Sequence, residues 1–225
     1  MIENLRAKIR ELEARTQFDK RPYPLGIEPF PRILQGQGFF PGGDGLWRED
    51  APSALRSQST CLFPRNGIMF LGNDFGTFDS FSKLKLHENP RTWRHLRKRL
   101  IAGGIAGQLG FYTNAYLGLR NDRCALADGI QHKEYDEMCA DFLSFQISVQ
   151  EPKLIVVLGN RPCSLLQSAL SIPQLQLKTL SALYRGASRL NILLVSHPYS
   201  DLGKSPDEIR DEGDLLRESW SDANR

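Results

Sequence analysis

Four short apolar runs constrain this chain more than any other feature: residues 68–71, 111–116, 154–158 and 192–195. Runs this short, and this rich in β-prone residues, fit strands covered on both faces. Helical patterns lie between them. Asn89-Pro90 opens one, with Pro at the first helical position. Residues 134–149 carry Tyr135, Met138, Cys139, Phe142, Leu143 and Ile147 on one face. Arg161-Pro162 opens a third helix, reaching about residue 170. Ser205-Pro206-Asp207-Glu208 is a capping box whose helix runs to about Trp220. Strands alternating with helices predict parallel crossovers, hence a three-layer α/β/α sandwich around a central, mostly parallel four-stranded sheet.

The chain has 225 residues, a length that suits one domain with a sizeable core. The expected organisation is a single domain over 1–225. Residues 1–60 would hold an N-terminal helix and a glycine-rich loop, 66–203 the motif-bearing core, and 204–225 a C-terminal helix. In that first segment Ile2, Leu5, Ile9 and Leu12 have the spacing of an amphipathic helix over 1–16. The loop at 36–45 lacks the Gly-Lys-Ser/Thr ending of a phosphate-binding P-loop, which argues against a nucleotide triphosphatase. The formal net charge is +3, so nucleic-acid binding would need clustered rather than excess positive charge. No apolar run approaches the ~20 residues of a membrane span. The start, Met1-Ile2-Glu3-Asn4-Leu5, lacks a basic end and an apolar stretch, so a cytoplasmic address is expected. Four cysteines, at 61, 124, 139 and 163, include no Cys-x-x-Cys pair. Free thiols are expected, with no metal.

Each apolar run delivers a polar motif: Gly72-Asn73-Asp74-Phe75-Gly76, Tyr112-Thr113-Asn114, Leu158-Gly159-Asn160 and Ser196-His197-Pro198-Tyr199-Ser200. In open parallel sheets, ligands bind outside the carboxyl ends of the strands. Asp74, between two glycines, suits a carboxylate that positions or deprotonates a water; capping the next helix would use it equally well. Asn114 offers a donor and an acceptor side by side, the pattern that reads a base edge, and an Asn there also makes turns. His197, stiffened by Pro198, can donate to an anionic leaving group or serve a structural bond. Three such groups on one rim point to a chemical site, and specifically to a pocket for a flipped-out base.

These motifs, in this order, resemble those of the uracil-DNA glycosylase superfamily. The resemblance runs from about residue 66 to 203. It is strongest between 111 and 166, where Thr113-Asn114, Cys139, Phe142-Leu143, Gln146-Ile147 and 152–159 are similar to the bacterial and archaeal iron–sulfur type. The resemblance implies a monofunctional glycosylase that hydrolyses the N-glycosidic bond of uracil or a related modified pyrimidine flipped out of DNA. It implies Asp74 as the acid that places the water, Asn114 as the reader of the base and His197 as the stabiliser of the departing base. Gly72, Asn73, Phe75, Gly76, Phe78, Phe81 and Asn114 would line the base pocket, with Phe78 or Phe81 as its aromatic platform. Leu202 matches the segment that wedges the duplex open.

The departures from the family pattern also carry expectations. Cys124 and Cys139 resemble the later pair of iron–sulfur ligands, but the early pair is missing, so no cluster and no cofactor are expected. Gly76 stands where the uracil-specific branch has a Tyr closing the pocket against a C5 substituent. An alternative substrate is therefore a bulky C5-modified pyrimidine, as in some phage DNA, with a role in phage defence. A further alternative is a catalytically silent nucleic-acid-binding module. The expected partner is DNA, met as a monomer near the nucleoid. Tyr199, Ser200, Leu202, Lys204, Ser205 and Arg161 are the expected DNA contacts. Arg91, Arg94, Arg97, Lys98 and Arg99 form a second cationic cluster, either facing phosphate or simply solvated.

Overall fold

The computed structural model describes residues 7, 11, 27–28, 65–74, 90–106, 110–120, 133–172, 182–185, 190–198 and 203–225. The expected helix over 1–16 (save residues 7 and 11), the glycine-rich loop, Cys61 and Cys124 lie outside these residues. So do Phe75, Gly76, Phe78, Phe81, Tyr199, Ser200 and Leu202. The described elements are β1 (Ile27–Glu28), β2 (Ile68–Gly72), α1 (Pro90–Ala102), β3 (Gly110–Asn114), β4 (Leu119–Arg120), α2 (Lys133–Gln150), β5 (Leu154–Leu158), α3 (Arg161–Leu170), β6 (Ala182–Arg185), β7 (Asn191–Val195) and α4 (Pro206–Ala223).

The four predicted strands form the parallel body of one sheet, in the order β3-β2-β5-β7. β6 adds a fifth strand at the edge, antiparallel to β7. Alternation along each strand explains the layers. Met69, Leu71, Ile155, Val157, Ile192 and Leu194 share one core with α2 and α3. Ile68, Phe70, Leu154, Val156, Leu193 and Val195 share the other with Leu96 and Leu100 of α1 and Leu216 of α4. A strand apolar at every position has to be covered on both faces, and here it is. The molecule is thus an α/β sandwich, as the apolar runs predict.

Strand order positions the site. The chain leaves β2 for β3 in one direction, with the intervening α1 on one face. It then returns past β2 to β5 through α2 on the opposite face, and continues by α3 toward β7. Right-handed crossovers require this change of face when the direction of winding reverses. The reversal point lies between β2 and β5. In open parallel sheets, such a reversal point is where ligands bind.

β3 ends at Asn114, two residues short of the predicted run. Ala115 and Tyr116 instead turn across the end of β2, their amides donating to Gly72 O at 2.9 Å and Asn73 O at 2.8 Å. The predicted capping box is present at α4: Ser205 Oγ accepts from the Glu208 amide at 3.2 Å, and Glu208 Oε2 accepts from the Ser205 amide at 2.7 Å. α1 and α4 pack side by side on one face, and their crossing is built on glycine. A Cβ on Gly213 would stand 2.7 Å from both Ala102 Cβ and Gly103 N. A mid-helix Gly ordinarily costs about 1 kcal/mol relative to Ala; here it permits the two helices to touch backbone to backbone.

Candidate functional site

The carboxyl ends of β2, β3, β5 and β7 form one edge, and predicted site residues arrive there from all four. Gly72 closes β2 and lies in register with Asn114, which closes β3. Asn114 is buried, and the neighbouring Thr113 is wholly enclosed, its Oγ1 donating to Gln146 Oε1 of α2 at 2.9 Å. This bond, with the Tyr116 amide on Asn73 O, fixes the end of β3 against both its helix and β2. Asn73 and Asp74 follow directly. With adjacent strands ~4.8 Å apart, Asn114 emerges about one strand spacing from Gly72, and His197, beyond β7, about two spacings on its other side.

Asp74 is held by hydrogen bonds and by an ion-pair contact. Arg120 Nη2 donates to Oδ1 at 3.3 Å, Arg120 Nε lies 3.3 Å from Oδ2, and Asn73 Nδ2 donates to Oδ2 at 2.6 Å. The Asp74 side chain is only 6% exposed and that of Arg120 25%. Arg120 belongs to β4, which pairs antiparallel with β1 and sets Arg120 opposite Ile27. Sequence reasoning missed Arg120. Its one local signal is the apolar-then-basic pair Leu119-Arg120 shortly after Asn114, which indicates nothing about a partner at position 74.

His197 follows β7 and precedes the buried Pro198. β5 meets it through Gly159, whose amide donates to Val195 O at 2.8 Å. Gly159 has φ +90, and a Cβ there would stand 3.2 Å from His197 Cβ. This explains the Leu158-Gly159 motif, because a glycine lets the end of β5 turn beneath the His.

Below His197 lies a buried polar network. Arg99, with no exposed surface, donates from Nη1 to Ser196 O at 2.8 Å and from Nη2 to Ser196 Oγ at 3.0 Å. Its Nε pairs with Glu212 Oε2 at 2.8 Å. Lys204 Nζ bonds Glu212 Oε1 at 2.7 Å and Ser196 Oγ at 2.6 Å, and Ser196 Oγ lies 2.7 Å from Glu212 Oε1. The residue before His197 is thus tied to α1, to α4 and to Lys204. This corrects one expectation. Arg99 does not belong to a solvent- or phosphate-facing cluster, because it turns inward to bond Ser196 and to pair by charge with Glu212. Arg97 and Lys98 are exposed; the side chains of Arg91 and Arg94 lie outside the described ones.

Two of the expected DNA contacts have structural partners. Lys204 is 20% exposed and committed to Glu212, and the Ser205 hydroxyl caps α4. Arg161, exposed at the first position of α3, emerges at the carboxyl end of β5. Beside it, the Tyr116 hydroxyl bonds Ser164, and burial, with the nearby Asp136 charge, raises the phenol's pKa. Tyr116 also stacks on Tyr135 with ring centres 6.0 Å apart.

The two described cysteines belong to the core. Cys139 and Cys163 are free and buried. Burial pushes the Cys139 thiol up to about 12 and that of Cys163 up to about 11. Cys139 Sγ accepts from the Leu117 amide at 3.5 Å. Among the described residues no group of three His, Cys, Asp or Glu side chains could hold a metal ion. None of their helices is long and apolar enough to cross a membrane.

No family model matches the chain, and no curated protein matches it in sequence.

Proposed function

We propose that the protein is a monofunctional DNA glycosylase acting on a pyrimidine flipped out of the helix. One observation carries this reading: an acid, a carboxamide and an imidazole reach one edge of a parallel sheet, on the two sides of its reversal point. Asp74 and Asn114 come from β2 and β3, and His197 from β7. The motifs that resemble the uracil-DNA glycosylase superfamily are the ones at these strand ends.

In this reading the bond between sugar C1′ and base nitrogen breaks, and its electron pair leaves with the base. A hydrogen bond from His197 stabilises the negative charge on the base. Asn114 inspects the base edge with its paired donor and acceptor. The Asp74 carboxylate faces the positive charge developing on the sugar and orients a water, whose oxygen bonds to C1′. The water's proton balances the departing base, so the products are a free base and an abasic sugar. The chemistry needs no electron acceptor and no covalent enzyme intermediate. The base class rests on Asn114 and on the glycine, rather than tyrosine, at position 76 of the sequence.

The test is single-turnover excision from matched oligonucleotides carrying uracil, thymine, 5-hydroxymethyl and glycosylated pyrimidines. Excision of at least one, with purines untouched, is expected. Asp74→Asn should keep DNA affinity and lose about 10²–10⁴-fold in rate, the range for a lost acid–base group. Tight DNA binding with no cleavage of any of them would instead support a silent binding module.

A further inference from the structure

We infer that Arg120 is the positioning residue for Asp74, holding its carboxylate in one direction. The inference rests on the glycosylase reading and specifies how its carboxylate works. Arg120 Nη2 donates to Oδ1 at 3.3 Å, and its Nε stands 3.3 Å from Oδ2 as an ion-pair contact without hydrogen-bond geometry. A guanidinium that bonds one oxygen and pairs by charge with the other restricts the carboxylate's rotation more than a lone donor does. Asn73 Nδ2, at 2.6 Å from Oδ2, adds a third restraint from the preceding residue. The pair is largely enclosed, so solvent competes little with it.

The backbone around the pair is anchored independently at each end. Asp74 follows β2, whose end is bonded to the chain leaving β3. Arg120 sits in β4, paired to β1 far upstream in sequence. Neither anchor involves the ion pair itself. The restraint on the carboxylate is therefore imposed by the fold. A carboxylate so held keeps its direction, the property needed to face a cationic sugar and to aim a water.

The role makes a signed prediction. Were Arg120 a brake on a basic Asp74, removing it would speed excision; as a positioning residue, removing it slows excision. Arg120→Gln should lower the single-turnover rate about 10²-fold, the scale of a misplaced catalytic group, with the Kd for DNA unchanged. Arg120→Lys keeps the charge without the two-oxygen grip and should recover part of the rate. In an Asp74→Asn background, Arg120→Gln should cause little further loss, because the group it positions is already gone.

The measurement is single-turnover excision and DNA affinity for wild type, the three single variants and the double variant, on the base that wild type cuts fastest. An unchanged or faster rate in Arg120→Gln, or a further full loss in the double variant, overturns the role while leaving the glycosylase reading standing. A fall in affinity equal to the fall in rate overturns it in favour of a phosphate contact. If Arg120→Gln fails to fold, Arg120→Lys decides: its rate must fall at constant Kd, and wild-type activity sinks the inference. Wild type that binds DNA and cuts nothing overturns the glycosylase reading first, and this role with it.

Discussion

In the proposed reading, single residues carry the chemistry of this rim, and two of them make separable predictions. His197 is expected to stabilise a departing anion, so His197→Ala should slow excision most for bases that leave poorly. The check is a rate series across pyrimidines of graded N1 acidity; equal slowing throughout would contradict the role. Gly159 acts through geometry. With φ +90 and the His197 Cβ only 3.2 Å from any added Cβ, Gly159→Ala strains the backbone and presses on the His. A non-glycine residue in such a conformation costs about 1–3 kcal/mol. Denaturant melts should show that loss, together with slower single-turnover excision.

At the scale of elements, α1 and α4 brace the His turn. They meet where Gly103 and Gly213 touch, and Arg99 and Glu212 bridge them just above Ser196. Alanine normally stabilises a helix relative to glycine, but Gly213→Ala should do the opposite. The added Cβ would meet Ala102 and the Gly103 backbone at 2.7 Å, and backbone cannot step aside. Overpacking of this kind costs about 1–3 kcal/mol, readable as a lower urea midpoint at unchanged m-value. A gain in stability would show that the helices separate easily. The same brace explains why Ser205 and Lys204 hold structure: one starts α4, the other ties its first turns to the end of β7.

For the whole molecule, the enclosed thiols set an alkaline limit. Cys139 ionises only at about 12 when folded, against an ordinary 9.0, and Cys163 only at about 11. An unfolded chain releases these protons earlier than the native one. Stability is therefore full below about pH 9 and falls as pH rises from there through the folded values. Urea midpoints measured from pH 8 upward should decline, and Cys139→Ala, though less stable at neutral pH, should decline less steeply. A slope identical to wild type would show that other groups govern the alkaline transition.

Local signals in the sequence determined much of this protein. Runs apolar at every position had to become strands covered on both faces, and β2, β5 and β7 do so within a residue of the expected limits. Pro90, Arg161-Pro162 and the Ser205 capping box mark the starts of three helices because capping is chemistry between near neighbours. Asp74, Asn114 and His197 were legible as a rim because the residues following parallel strands must emerge on one edge. The tertiary structure alone decided the rest. The antiparallel strand β6, the reversal between β2 and β5, the inward turn of Arg99 and the grip of Arg120 on Asp74 all depend on partners distant in sequence. A charged residue reads alike in sequence whether solvent or a distant carboxylate will satisfy it. Only the packing of the whole chain selects between them, by the cost of leaving a buried charge unpaired.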